Sequence, residues 1–463
     1  MLTLVAAGIA FGVLVGLIAW RANDAAYNSY DTLVNKGSVS VDAALRARAA
    51  ALDHMGQAAT YLATTGAPQQ AAEAAAAQSW NGFNEEARKS WNNRTDQTQG
   101  EFNVFAAADA AASLYIQQIG AMFSYSKSNP PQIPNARAAF LQARDTLNFR
   151  LVPALTGLEE IKVEDMAATD RGAAAQITGW RNALLGVTVL LGLALLAALG
   201  LVLRMHYRWS WTIGSALLLT ILVGGWMQLQ LSQASRDTSV MVHDAYDTVS
   251  GVQDLTTLLA QERALESIAI FDSENAAKPG GSFEQYAQYA FLVDQTLCGP
   301  AQCALSDTTF LSAPSSDAIA DDVKKAALDE QNRLGLPRVP LVANVHFPNE
   351  AAQFDQLRQD YQAWQSVHNN QLAAQVTAGQ KDAAAATSTG PAAAAYATVI
   401  QDAANVGGTA RTEFDRIARR WTSVQGGSGL PISLINEALA LLFPFAGLLA
   451  ALGLWRRRSE LFA

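Results

Sequence analysis

Four stretches of the chain carry no charged side chain: Leu2 to Trp20 (19 residues), Ala183 to Leu203 (21), Trp209 to Leu231 (23) and Ala438 to Trp455 (18). At 1.5 Å per residue, each is long enough to cross a hydrocarbon layer about 30 Å thick as an α-helix. The pattern therefore predicts transmembrane helices at 1–20, 183–203, 209–231 and 431–455. The intervening polar stretches are very unequal. Residues 21–182 and 232–430 are long enough to be domains, whereas 204–208 and the tail 456–463 are too short to fold alone.

Within the two long stretches, apolar residues recur at three- and four-residue spacing and alternating strand patterns are scarce. Leu255, Leu258, Leu259, Ala264, Leu265, Ile268 and Phe271 form one such stripe. Breakers are few and clustered. In the first stretch they are Gly66-Ala67-Pro68, Thr95 to Gly100 and Asn129 to Pro134, which predicts helices near 22–65, 69–93, 100–128 and 135–182. In the second they are Lys278 to Gly281, the Cys298 loop, Leu334 to Pro348 and Thr389-Gly390-Pro391. The helices predicted there are 232–276, 282–297 continuing at 316–335, 349–387 and 391–425. The expected fold is all-α: four transmembrane helices and two extracytoplasmic up-down four-helix bundles, 21–182 and 232–430. The repeated layout, with Tyr30-Asp31-Thr32 echoed by Tyr246-Asp247-Thr248, points to an internal duplication.

Charge sets the expected sidedness. Five of the 32 basic residues lie in the two short segments, Arg204, Arg208 and Arg456 to Arg458, which assigns 204–208 and 456–463 to the cytoplasm. The long stretches then face outward, and the chain belongs in the plasma membrane of a bacterium. The first carries 14 Lys+Arg against 16 Asp+Glu and the second 13 against 23, so the net charge of −9 resides outside and excludes nucleic acid as a partner. Trp20, Trp180, Trp209, Trp211, Trp226 and Trp455 flank the apolar stretches, where their rings suit the lipid headgroup layer. A cleaved signal peptide is the competing reading of the first stretch; its length and its lack of a basic leader speak against that.

No nucleophile elbow, phosphate loop or dinucleotide fingerprint occurs, and His54, His206, His243, His346 and His368 include no pair at helical zinc spacing. The paired acids Glu85-Glu86, Glu159-Glu160 and Asp321-Asp322 read as solvated helix faces. The expectation is a protein that is not an enzyme and has no cofactor or metal. Cys298 and Cys303 flank a Gly-Pro turn and predict a disulfide outside the cytoplasm. Asn93-Arg94-Thr95 matches a glycosylation sequon, read here as a chance match.

Gly8, Gly12 and Gly16 form a ridge on one face of the first span. Such a ridge admits close helix approach, either from a neighbouring span or from a partner or second copy. Pro444 should kink the fourth span. Arg46, Arg48 and Arg263, on the helices leaving the membrane, are candidate ligand residues; the competing reading of each is an ordinary ion pair. The apolar connection Leu334 to Pro348 could pack on its bundle, dip into headgroups or meet a partner.

This layout resembles the four-helix-bundle sensor domains of bacterial chemoreceptors and histidine kinases. The four-pass arrangement as a whole is similar to actinobacterial GlnX-type proteins. That resemblance implies a relay between an extracytoplasmic solute-binding lipoprotein and a cytoplasmic Ser/Thr kinase. Membrane lipid as a partner follows from the spans themselves, with a membrane effector as the other reader, and the glycine ridge allows a homo-oligomer. The expected function is a non-enzymatic transmembrane sensor or relay subunit whose outer bundles take a small ligand or a solute-binding protein. The alternative is a structural or assembly subunit of a larger membrane complex.

Overall fold

The computed structural model describes residues 2–32, 38–93, 99–206, 211–278, 280–298, 325, 341–344, 346–421 and 432–456. Among the described residues the secondary structure is helical, with no strand. Four helices are long and apolar enough to cross a membrane. The uncharged stretches lie within these helices or overlap them, and charged extensions continue beyond them.

The chain opens with α1 (Leu2–Thr32), α2 (Val39–Ala63) and α3 (Ala67–Asn92). The α2–α3 break lies where the sequence predicts it: Gly66 adopts φ 69°, a left-handed conformation that suits glycine, and Pro68 occupies the first turn of α3. After α4 (Gln99–Lys127), the proline-rich turn leads into α5 (Ile133–Thr146). A π turn, Leu147–Leu151, joins α5 to the 55-residue α6 (Val152–His206). Then α7 (Trp211–Ser239) passes through a second π turn, Val240–Tyr246, into α8 (Asp247–Phe271). The short α9 (Ser273–Ala276) and α10 (Ser282–Cys298) follow. The predicted helix at 316–335 lies outside the described residues except for Lys325.

One predicted break is displaced. The sequence reading ends a helix at 387 and restarts it at Pro391. Instead α11 (Glu350–Val367), a π turn and α12 (Ala373–Thr377) end at Gly379, φ 73°. The Gly379 and Gln380 amides donate back to the Val376 and Gln375 carbonyls (3.0 and 2.8 Å), closing the helix with a left-handed glycine cap. Pro391 is absorbed in a π turn, Ser388–Ala392, between α13 (Lys381–Thr387) and α14 (Ala393–Trp421). The fourth span is two helices, α15 (Ile432–Ala440) and α16 (Leu442–Arg456). Pro444 cannot donate to the carbonyl of Ala440, four residues before it, and the helix is interrupted between them.

The chain divides into two compact units. The first comprises 1–35, 166–243 and 414–463 and holds all four crossing segments. Here α16 packs on α1 and α7, and α15 on α1. Outward-facing residues of its helices are apolar, including Leu190, Leu193, Leu222 and Leu229, as a surface that contacts lipid requires. A Cβ on Gly12 would stand 2.7 Å from the Phe443 carbonyl oxygen and 3.2 Å from Gly447 Cα. One on Gly16 would meet the Ala440 carbonyl and the Pro444 ring, each at 3.0 Å. These two glycines therefore bring the first and fourth spans together; Gly8 lies in α1, but its surroundings are outside the described residues. Beyond the glycines, Asn23 donates to the Ser433 carbonyl (3.0 Å) and Tyr30 stacks on Trp421 at 5.3 Å between centroids.

The second unit comprises 36–165 and 244–413, so it draws on both long polar stretches. One continuous core contains Met55, Tyr115 and Phe140 from the first stretch and Leu258, Leu265 and Trp364 from the second. The pairing of α2 with α8 is central to it. Gly56 and alanines let these helices approach closely: a Cβ at Gly56 would lie 3.8 Å from Ala264 Cβ. The two long stretches thus share one core rather than each enclosing its own. Of the apolar 334–348 connection, Leu341 is buried and fills the space left by the missing side chain of Gly251 on α8.

Candidate functional site: a buried charge network and a polar cavity

The second unit buries an unusual number of ionisable groups, and they fall into two clusters. The first centres on Arg48 of α2, whose side chain is 1% exposed. It donates to Glu159 of α6 (2.7 Å) and to Asp254 of α8, with Thr156 at 3.4 Å. One guanidinium thus faces two carboxylates from two other helices. A single cation cannot neutralise both in a medium that disfavours charge. Burial lifts Glu159 to about 8 despite the opposing pull of Arg48, and burial also raises Asp254. Burial thus biases both carboxyls toward the protonated form, and Arg48, bonded to each, opposes that bias. Lys162, also on α6, forms a second buried ion pair with Glu101 of α4.

The second cluster lies on α8 and the helices packed on it. Glu262 is fully buried and accepts from Tyr361 Oη (2.9 Å) and Gln365 Nε2 (3.2 Å). Burial pushes its carboxyl well above the usual range, with neighbouring Glu266 adding to the shift. Glu266 stays below its ordinary value because Arg263 and His368 outweigh its burial. The His368 ring, 3.1 Å from Glu266, stacks on Tyr286 with 3.6 Å between centroids.

Next to this cluster a cavity of about 480 Å³ opens among α2, α3, α8 and the start of α14. Asp53, Gln57, Thr60, Arg263, Thr389 and Tyr396 supply its polar wall, and alanines of α3 much of the rest. Arg263 binds Glu266 and the Ser388 carbonyl, and its guanidinium lies 5.9 Å from the Tyr396 ring centroid. Asp53 accepts from Ser79 and, at 3.5 Å, from Gln57. A second cavity, about 390 Å³, is lined by Trp80, Phe83, Trp91, Phe105 and aliphatic side chains, with Arg88 and Asp109 among its polar residues. Nearby, His54 is bonded to Tyr115 Oη (2.7 Å) and lowered by burial to about 4.

The three candidate arginines thus have three different settings. Arg46 is half exposed and forms an i,i+4 pair with the buried Asp42 (2.9 Å). Arg48 is locked inside the core, away from any cavity wall described here. Only Arg263 lines a cavity. Glu159 departs from the solvated-face reading: it is buried, while its neighbour Glu160 is exposed. Cys298 is buried at the end of α10, and Cys303 lies outside the described residues, as do Arg94, Thr95 and the Asp321-Asp322 pair. Asp53, Glu262, Glu266 and Tyr396 are the residues sequence reasoning passed over. Glu262 could have been found: it lies four residues after Leu258 and three before Leu265, on the apolar stripe itself. Among the described residues no group of three His, Cys, Asp or Glu side chains is placed to hold a metal ion.

Compared with protein-family models, curated proteins and solved structures, the chain gave no significant match.

Proposed function

We propose that the protein is a non-enzymatic transmembrane sensor or relay subunit of a bacterial plasma membrane, with the second unit outside and the short loop 204–208 and tail 456–463 in the cytoplasm. The observation that carries this reading is α6. One uninterrupted helix bears Glu159 and Lys162 of the buried ion pairs and, further on, the uncharged crossing segment 183–203. A change in how α2, α6 and α8 pack would bias α6 between two arrangements, and packed cores switch between discrete states rather than deform smoothly. The polar cavity beside α8 gives a small ligand a place to act on that packing.

Against the scaffold alternative, Gly12 and Gly16 are engaged by the fourth span, which removes the feature that best suited docking of a fixed subunit. A relay needs a reader at the cytoplasmic ends of the spans. Full-length protein crosslinked in native membranes and captured in nanodiscs should retain a signalling protein linked to 204–208 or 456–463, and deleting 456–463 should weaken that link. Capture of only the stoichiometric subunits of a respiratory, secretory or envelope complex would contradict the relay.

A further inference from the structure

We propose that the 480 Å³ cavity beside α8 binds a small organic cation, a primary ammonium on a short aliphatic chain. The inference rests on the sensor reading for its purpose, but its evidence is the chemistry of the wall.

Charge comes first. Two charged side chains line the cavity, Asp53 and Arg263. The charge of Arg263 is already balanced by Glu266, whose side chain is fully buried, and Arg263 also donates to the Ser388 carbonyl. The described partners of Asp53 are neutral, the Ser79 hydroxyl and the Gln57 amide. Asp53 therefore carries the net charge of the wall, and that charge is negative. An anionic ligand would meet Asp53 without an unmatched cation to offset it, whereas an ammonium would supply the missing charge.

Hydrogen-bonding capacity points the same way. The Thr60 hydroxyl donates to the Gly56 carbonyl (2.9 Å) and the Thr389 hydroxyl to the Ala385 carbonyl (2.9 Å). The Thr60 oxygen is also bonded to the Ser267 hydroxyl (2.9 Å), whereas the Thr389 oxygen, its proton committed to the helix backbone, is left as an acceptor. The Asp53 carboxylate and the Thr389 oxygen can accept from an ammonium, and the Gln57 amide, Arg263 and the Tyr396 hydroxyl complete the polar wall. An ammonium has three donors and no acceptor.

The remaining wall selects an organic cation over a bare metal ion. Alanine methyl groups from α3, α8 and α14 and the Tyr396 ring make up much of the surface. They offer a metal ion no ligands, but they pack against methylene groups, and the volume lies within the range of small-molecule sites. The Tyr396 face already attracts the Arg263 guanidinium, which fixes the ring at the cavity edge.

Calorimetry on full-length protein in nanodiscs, with n-butylamine as the probe at neutral pH, tests this. Saturable one-to-one binding is expected, with no binding of 1-butanol or butyrate and no competition from potassium or sodium. Asp53→Asn should weaken butylamine by about tenfold or more, the scale of a charged hydrogen bond. If Asp53→Asn fails to fold, Ala75→Leu, which keeps the charge and narrows the cavity, should produce the same loss. The proposal is overturned if butylamine does not bind, if it binds Asp53→Asn or Ala75→Leu equally well, or if butyrate or an alkali cation takes the site. Binding heat and capture of a cytoplasmic reader are separate measurements. Butylamine binding without a reader removes the relay and keeps the cation site; a reader without butylamine binding does the reverse.

Discussion

Replacing Arg48 by methionine should be among the most destabilising single changes in the second unit. Methionine keeps most of the apolar stem, so the loss is chiefly electrostatic. The guanidinium is 1% exposed and faces Glu159 and Asp254, themselves 11% and 2% exposed. Removing the cation from a buried set costs about 3–5 kcal/mol, because the remaining charge is stranded away from water. For a unit of this size, at about 2 °C per kcal/mol, that is roughly a 6–10 °C fall in unfolding temperature. Tryptophan fluorescence during heating in nanodiscs is a suitable readout. The decisive comparison is R48M/E159L/D254L: replacing the whole set with apolar side chains should recover most of the loss, since desolvation is then no longer required of any charge. The fall in R48M should also shrink in acid, where both carboxyls can take up protons. The reasoning is refuted if R48M unfolds within about 2 °C of the parent, or if the triple variant is less stable than R48M.

Three further outcomes follow from the same physics. Glu159 is raised to about 8 in the folded protein, so the stability tied to its proton is fully present below its unfolded value and is lost as pH rises through about 8; E159Q mimics the protonated form, so the stability difference between parent and E159Q should move in favour of E159Q from about pH 5 to pH 8, and a difference that does not change with pH would contradict it. Gly12→Leu should cost about 1–3 kcal/mol, because the new side chain meets backbone of the fourth span, whereas Gly186→Ala, with open space around it, should be close to neutral in the same thermal assay. Finally, Cys298 and Cys303 should resist alkylation until reduced, and peptide mapping under non-reducing conditions should recover them linked.

The membrane-crossing segments were legible because an uncharged run of about twenty residues has few other uses. The breaks at Gly66-Pro68 and before Pro134 were legible for local reasons as well: a left-handed glycine and a first-turn proline. Gly379 was missed because Pro391 looked like the stronger breaker, yet a π turn accommodates the proline. Assembly of the second unit was not legible. Alanine-rich helices such as α2 offer small, weakly apolar surfaces on several faces, so periodicity did not say that α2 would pair with α8, some two hundred residues away. The buried charges were hidden for a related reason. Arg48, Glu159 and Asp254 each sit in a stretch that looks solvated, and the ion pairs that join them across three helices appear only once the unit is assembled. Asp53 and Tyr396 come from opposite halves of the chain and meet only because α2, α8 and α14 do.

The central claim is that packing in the second unit is felt at the cytoplasmic ends of the spans. Gly56→Cys with Ala264→Cys provides the lever, since the Cβ separation of 3.8 Å matches that of a disulfide. With bio-orthogonal spin labels at positions 204 and 455, pulsed electron-spin distance measurements in nanodiscs would compare the oxidised and reduced clamp. The account predicts a shift of about 1–2 Å, the scale of helix movements in switching proteins. Distance distributions that superimpose, with the clamp shown to be fully formed, would contradict it.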